Sequence, residues 1–143
     1  MLYENKLSAY KDEKLVIRLD TESQRIEYFP ETFILNKFDV FTRINVVPVD
    51  MLLSQKILAI LNRKRPMGRD FYDTIFLLNR TEPNFYYLKT KAGITTQKSL
   101  RKKLLQKCEK LDLKSLVRNT EPFLINPQDS KRILLFCDYI KNQ

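Results

Sequence analysis

The chain has 143 residues, 43% hydrophobic and 11% aromatic, enough to bury an ordinary core as one domain or two intimately packed small units. It carries 26 basic and 17 acidic residues, a formal charge of +9, and no histidine; histidine catalysis and the usual zinc sites are excluded, since two cysteines cannot fill a tetrahedral shell. Its two glycines argue against a Gly-rich phosphate loop, and the absence of a long apolar run or secretory pattern points to a cytoplasmic protein with no membrane partner.

In chain order, residues 1–13 are polar and read as an irregular or helical lead-in. Leu15, Ile17 and Leu19 then alternate with Val16, Arg18 and Asp20, the pattern of a strand that ends at Asp20. A second short strand is expected from Gln24 to Phe29, stopping at Pro30. From Phe33 to Val47 the pattern is again β, with Phe38, Val40, Thr42, Ile44 and Val46 on one face. The first 47 residues therefore read as three or four strands of one sheet.

Pro48 and Asp50 open a helix whose apolar positions, Leu53, Ile57, Ile60 and Leu61, share one face. Lys56 lies at the margin of that stripe. A basic turn, Asn62-Arg63-Lys64-Arg65, leads to a second helix from about Asp70 to Leu78, apolar nearly all round. Asp70 and Asp73, three residues apart, are neighbours on one side of it. A lysine and two carboxylates on buried helices suggest a site. Two structural readings stand beside it: Lys56 snorkelling to water, and an acidic first turn suiting the helix dipole.

The remainder reads as helical. A short helix is expected from Asn84 to Lys91, ended by Gly93, and a longer one from a Thr96 cap to about Lys110. The latter pairs an apolar side (Leu100, Leu104, Leu105, Cys108) with a face bearing Arg101, Lys102 and Lys103. A short helix at Leu111 to Val117, a loop from Thr120 to Ile125, and a last helix opened by Asn126-Pro127 follow. That last helix should pack through Ile133, Leu134, Cys137 and Ile140, with both cysteines buried. Charge is uneven: residues 1–80 hold 13 basic and 11 acidic side chains, and residues 81–143 hold 13 and 6. A basic second half suits a polyanion such as tRNA or DNA, an acidic protein, or a solvated lysine-rich surface.

The string LLSQKILAILNRKRPMGRDFYDTIFLLNRTEPNFYYL resembles the signature region of the AbiEii/AbiGii-type nucleotidyltransferase toxins of bacteria. A helix bearing a lysine, a Lys/Arg-rich turn and an Arg-Asp-aromatic-x-Asp helix correspond to Lys56, residues 62–65, and Arg69, Asp70, Tyr72 and Asp73. The LDLKSLVRNTEPFLINPQ segment is similar to the family's C-terminal part, with Asn119-Thr120 where an aspartate is expected.

The resemblance implies transfer of a nucleoside monophosphate from an NTP to an RNA acceptor such as tRNA, with Mg2+ and a cognate antitoxin partner. Lys56 is then the phosphate-contacting lysine, Asp70 the acceptor-activating base, and Asp73 a structural or second catalytic carboxylate. Arg63, Lys64, Arg65 and Arg69, with Arg101, Lys102 and Lys103, are the nucleotide- or RNA-binding candidates. Asp20 matches the family's third metal-binding carboxylate. The family's Gly-Ser and Asp-x-Asp motifs occur nowhere in this sequence.

The fold class implied is α+β: residues 1–47 as a partial nucleotidyltransferase-like sheet and 48–143 as a helical region carrying the Lys56 and Asp70 motifs. Three functional readings follow in order. The first is the C-terminal part of a toxin, inactive alone. The second is a non-catalytic RNA-binding remnant. The third is a partner of a full-length toxin or its antitoxin, recruited through an open sheet edge.

Overall fold

A computed structural model describes Glu4, Lys6, Ala9, Tyr10, Val16, Leu19 and residues 25–142. Apart from Val16 and Leu19, the Leu15–Asp20 strand expected from sequence, and Asp20 with it, lies outside the described residues.

Among the described residues the β-structure is a two-stranded antiparallel hairpin, β1 (Glu31–Lys37) and β2 (Val40–Val46), joined at Phe38 and Asp39. No strand occupies 25–29, a correction to the expected one. Arg25 sits at φ 49, in the left-handed region that breaks an extended run, and Pro30 places its missing N–H just ahead of β1. Register pairs Phe33 with Ile44, Leu35 with Thr42 and Lys37 with Val40. One face of the hairpin therefore gathers Phe33, Leu35, Val40, Ile44 and Val46, and most of it is open to solvent. Phe38 belongs to the turn rather than to that face: its φ is 53 and its ring is 91% exposed.

Val47 anchors the hairpin to the helical body, in which six α-helices among the described residues share one core. The first, α1 (Val49–Asn62), buries Met51, Leu53, Ile57, Leu58 and Ile60. Asp50 is not its cap residue, which is Pro48; it sits in the first turn. The second, α2 (Gly68–Leu78), buries Asp70, Phe71, Thr74 and Leu77, while Phe76 stays half exposed beneath the Arg80 guanidinium, 4.0 Å from its ring centre. Helix α3 (Phe85–Ala92) is capped by Asn84 and ends at Gly93, whose φ of 64 is the left-handed conformation such a stop requires.

Helix α4 (Gln97–Cys108) opens on a reciprocal Thr96–Ser99 capping box. Helix α5 (Leu113–Thr120) is capped by Asp112. A short 3-10 turn (Glu121–Phe123) and a longer 3-10 run (Pro127–Leu135) lead to α6 (Phe136–Lys141). The expected last helix is thus divided: Ile133, Phe136 and Ile140 are buried, but Leu134 is 40% exposed. Phe71 and Phe136 meet edge to face with ring centres 5.0 Å apart, locking α2 onto α6.

Gly68 sets the entry of α2. A Cβ there would overlap the Leu116 carbonyl oxygen and the Thr120 hydroxyl, so only glycine lets α2 approach the end of α5 this closely.

Candidate functional site

Helices α1 and α2 pack side by side, which brings together four residues expected from sequence. Lys56 projects from α1 with its Nζ 2.7 Å from Asp73 Oδ2 and 3.9 Å from Asp70 Oδ1. Arg63, at the C-terminal cap of α1, places Nε 3.0 Å from Asp70 Oδ2. The cluster is graded from inside to outside. The Asp70 side chain is 2% exposed, Lys56 28%, Asp73 38% and Arg63 45%. One sealed carboxylate thus lies beneath two cations that reach water.

Asp70 is not the cap of α2, a role held by Met67 without a side-chain hydrogen bond. Its carboxylate is turned instead into the α1–α2 contact. No well-aligned hydrogen bond reaches Oδ2 among the described residues, so the contact with Arg63 is an electrostatic one. Burial raises the Asp70 pKa above its ordinary 3.8; Arg63, Lys56 and Arg69 oppose that rise, and Asp73 adds to it. A carboxylate whose burial outweighs three nearby cations is poorly compensated, which is uncommon for a group kept only for stability.

Of the other sequence candidates, Arg69 acts on Asp70 through its charge without an ion pair, and the rest do not converge on this cluster. Lys64, Arg65 and Arg69 are exposed on the turn and first residues of α2. The α4 cations divide. Arg101 lines an apolar cleft with Leu78, Phe85, Leu104 and Ile140, whereas Lys103 Nζ donates to the Ala92 carbonyl at 2.9 Å. Lys102 is exposed.

Sequence reasoning missed two further features. Asn84 ties α3 to α1: its Nδ2 donates to Asp50 Oδ2 at 2.8 Å, its N–H donates to Ser54 Oγ at 2.7 Å, and its Oδ1 accepts from Tyr87 N–H at 2.9 Å. The only available signal was an asparagine at a helix start. Lys107 was the other. Its ammonium donates to the Leu61 and Arg63 carbonyls at 3.2 and 3.3 Å, holding the basic turn from beneath. The two cysteines are half-buried rather than buried, and they meet. The Cys108 thiol is pushed up to about 12, first by burial and then by its hydrogen bond to Cys137.

A divalent cation does not fit what is described. No group of three or more Cys, Asp or Glu side chains converges among the described residues, and both carboxylates of the cluster already face cations. Nor, among those residues, is any helix long and apolar enough to cross a membrane.

Against known proteins, the family model described as nucleotidyl transferase AbiEii toxin, type IV TA system, matches residues 8–138. No curated protein and no solved structure matches the chain.

Proposed function

From the membership of this chain in the AbiEii nucleotidyl transferase toxin family of type IV toxin–antitoxin systems, we propose that the Lys56 cluster is the phosphate-binding part of a nucleotidyl-transfer site. The observation that carries this reading is the sealed Asp70 beneath two solvent-reaching cations. Lys56 offers a point charge and Arg63 a planar fork, and both match the oxygens of a triphosphate. Asp70 acts as a positioning residue. Its burial fixes the two cations from below and leaves no path to an acceptor hydroxyl. Asp73 is the carboxylate with access, and so the better candidate to receive the acceptor's proton. A general base has to come within hydrogen-bond reach of the group it deprotonates.

Nucleotidyl transfer in this family generally uses a metal ion with the NTP. The described residues do not supply its carboxylate set, and Asp20 is the family-matched ligand that lies outside them. We infer that the chain by itself binds an NTP but moves its nucleoside monophosphate to RNA, with release of pyrophosphate, only slowly, because the Gly-Ser and Asp-x-Asp motifs are missing from its sequence. Membership of a type IV system implies a cognate antitoxin. A second reading, a non-catalytic partner of a toxin or antitoxin, draws on the uncovered apolar face of the hairpin at Phe33, Val40 and Ile44.

The test is equilibrium binding of a fluorescent NTP analogue. Lys56→Ala should weaken it by about tenfold or more, the usual worth of a charged hydrogen bond. Wild-type protein that ignores NTP, or a variant that binds it equally well, would overturn the reading.

A further inference from the structure

The flank of α4 that faces α1 and α3 borders an open cleft of about 460 Å³. Lys91, Lys103, Gln106, Lys107, Lys110 and Asn62 are on its walls, and among the described residues no carboxylate lines it. Two of its ammonium groups are held in place by helix ends: Lys103 by the Ala92 carbonyl at 2.9 Å, and Lys107 by the Leu61 and Arg63 carbonyls at 3.2 and 3.3 Å. An ammonium has three N–H donors. Lys103 therefore keeps two for a ligand and Lys107 one, on side chains that have already given up much of their freedom.

Lys103 and Lys107 stand one helical turn apart, about 6 Å along the axis. Lys110 follows just beyond the helix end. At the helical period Lys98 falls on a different flank, outside the cleft. A row of cations in an open groove that no described carboxylate lines suits successive phosphates on one strand better than a single anion. One residue connects this cleft with the Lys56 cluster. Arg63 contributes one of the two carbonyls that hold Lys107, and its guanidinium pairs with Asp70.

We propose that this cleft binds the phosphate backbone of a nucleic-acid strand and leads it past the Arg63 turn. That the strand is the acceptor rests on the nucleotidyl-transfer reading; that the cleft binds it does not.

Fluorescence anisotropy with a labelled single-stranded RNA, and with DNA of the same sequence, tests this across a salt series on the full chain. Each phosphate contact to a single strand contributes about 0.7 to the slope of log affinity against log salt. Lys103→Gln, which retains a donor for Ala92, and Lys110→Gln should each lower that slope by about 0.7 and weaken binding about fivefold at about 0.1 M salt. Lys98→Gln should change neither, with melting temperature confirming the fold of all three. RNA and DNA bound alike would identify the phosphates as the determinant, and RNA bound alone would add the ribose hydroxyl; both support the cleft. No strand binding, or equal effects from Lys98 and Lys110, would overturn it. NTP binding measured on the same variants separates the two ideas. A normal NTP affinity with a lost salt slope supports both, whereas strand binding through the cleft without NTP binding removes the nucleotidyl-transfer reading alone.

Discussion

Asp70→Asn sets two expectations against each other. Removing one partner of a buried ion pair ordinarily costs about 3–5 kcal/mol, because the remaining charge is stranded away from water. Here the stranded groups would be Lys56 and Arg63, whose side chains are 28% and 45% exposed. Water can solvate both, and Lys56 keeps its 2.7 Å contact with Asp73. Each lost pair is then worth about 0–1 kcal/mol, discounted for that exposure. Against this stands relief of the desolvated carboxylate, the dominant influence on Asp70. The amide variant should therefore keep its stability at neutral pH within about 1 kcal/mol of wild type, or exceed it. The pH dependence has a definite sign. A carboxyl whose folded pKa is raised contributes stability that is full below its ordinary 3.8 and is lost as pH rises through the folded value. The advantage of the Asp70→Asn protein over wild type should grow over that window and then level off. Urea unfolding across the acid range measures it. A loss of about 3–5 kcal/mol at neutral pH, or a gap that narrows as pH rises, would refute the reasoning. NTP affinity should fall in the same variant, because its two cations lose their anchor.

Gly68→Ala forces a methyl into the Leu116 carbonyl and the Thr120 hydroxyl. Overpacking of this kind costs about 1–3 kcal/mol, read as a drop of several degrees in melting temperature, and an unshifted melt would show that α5 yields. Asn84→Ala removes the α3 cap and the bond to Asp50, together about 2–3 kcal/mol. Asn84→Asp keeps the cap but sets a second carboxylate beside Asp50, so it should be destabilised by an amount that shrinks in acid; equal stability of the two variants at all pH values would contradict this. The Cys108 thiol, pushed up to about 12, should resist iodoacetamide in mildly alkaline buffer while the protein is folded. Peptide mass spectrometry reads the modification, and rapid labelling of native Cys108 would exclude the half-buried, hydrogen-bonded thiol.

The helical half was legible because its local signals agree. The Thr96 and Asn126 caps, the Gly93 stop and the Leu53–Ile57–Ile60 stripe each specify structure within a few residues, and all stand in the fold. The proximity of Lys56, Asp70 and Asp73 was legible in kind, since the two carboxylates share a side of α2. Their grading was not. Which carboxylate is sealed and which meets water depends on how α1 crosses α2, and periodicity carries no information about that. The strand expected at 24–29 failed at its described residues because one left-handed residue, Arg25, outweighs an alternating pattern. The α4 cations read as one surface in sequence. Two of them instead reach helix ends contributed by α1 and α3, contacts between residues 11 to 46 apart in the chain.

The hairpin has a consequence for measurement. Among the described residues its strands bond to each other, and its link to the core runs through Val47. Contacts that close within sixteen residues form early and cheaply in folding, but they gain little from the helices when those form. The hairpin should therefore open independently of the helical body. An unfolding curve followed by helical signal will report on residues 48–142, and amide exchange in β1 and β2 should proceed faster than global unfolding allows. A partner added to the sheet should slow that exchange towards the rate of global unfolding.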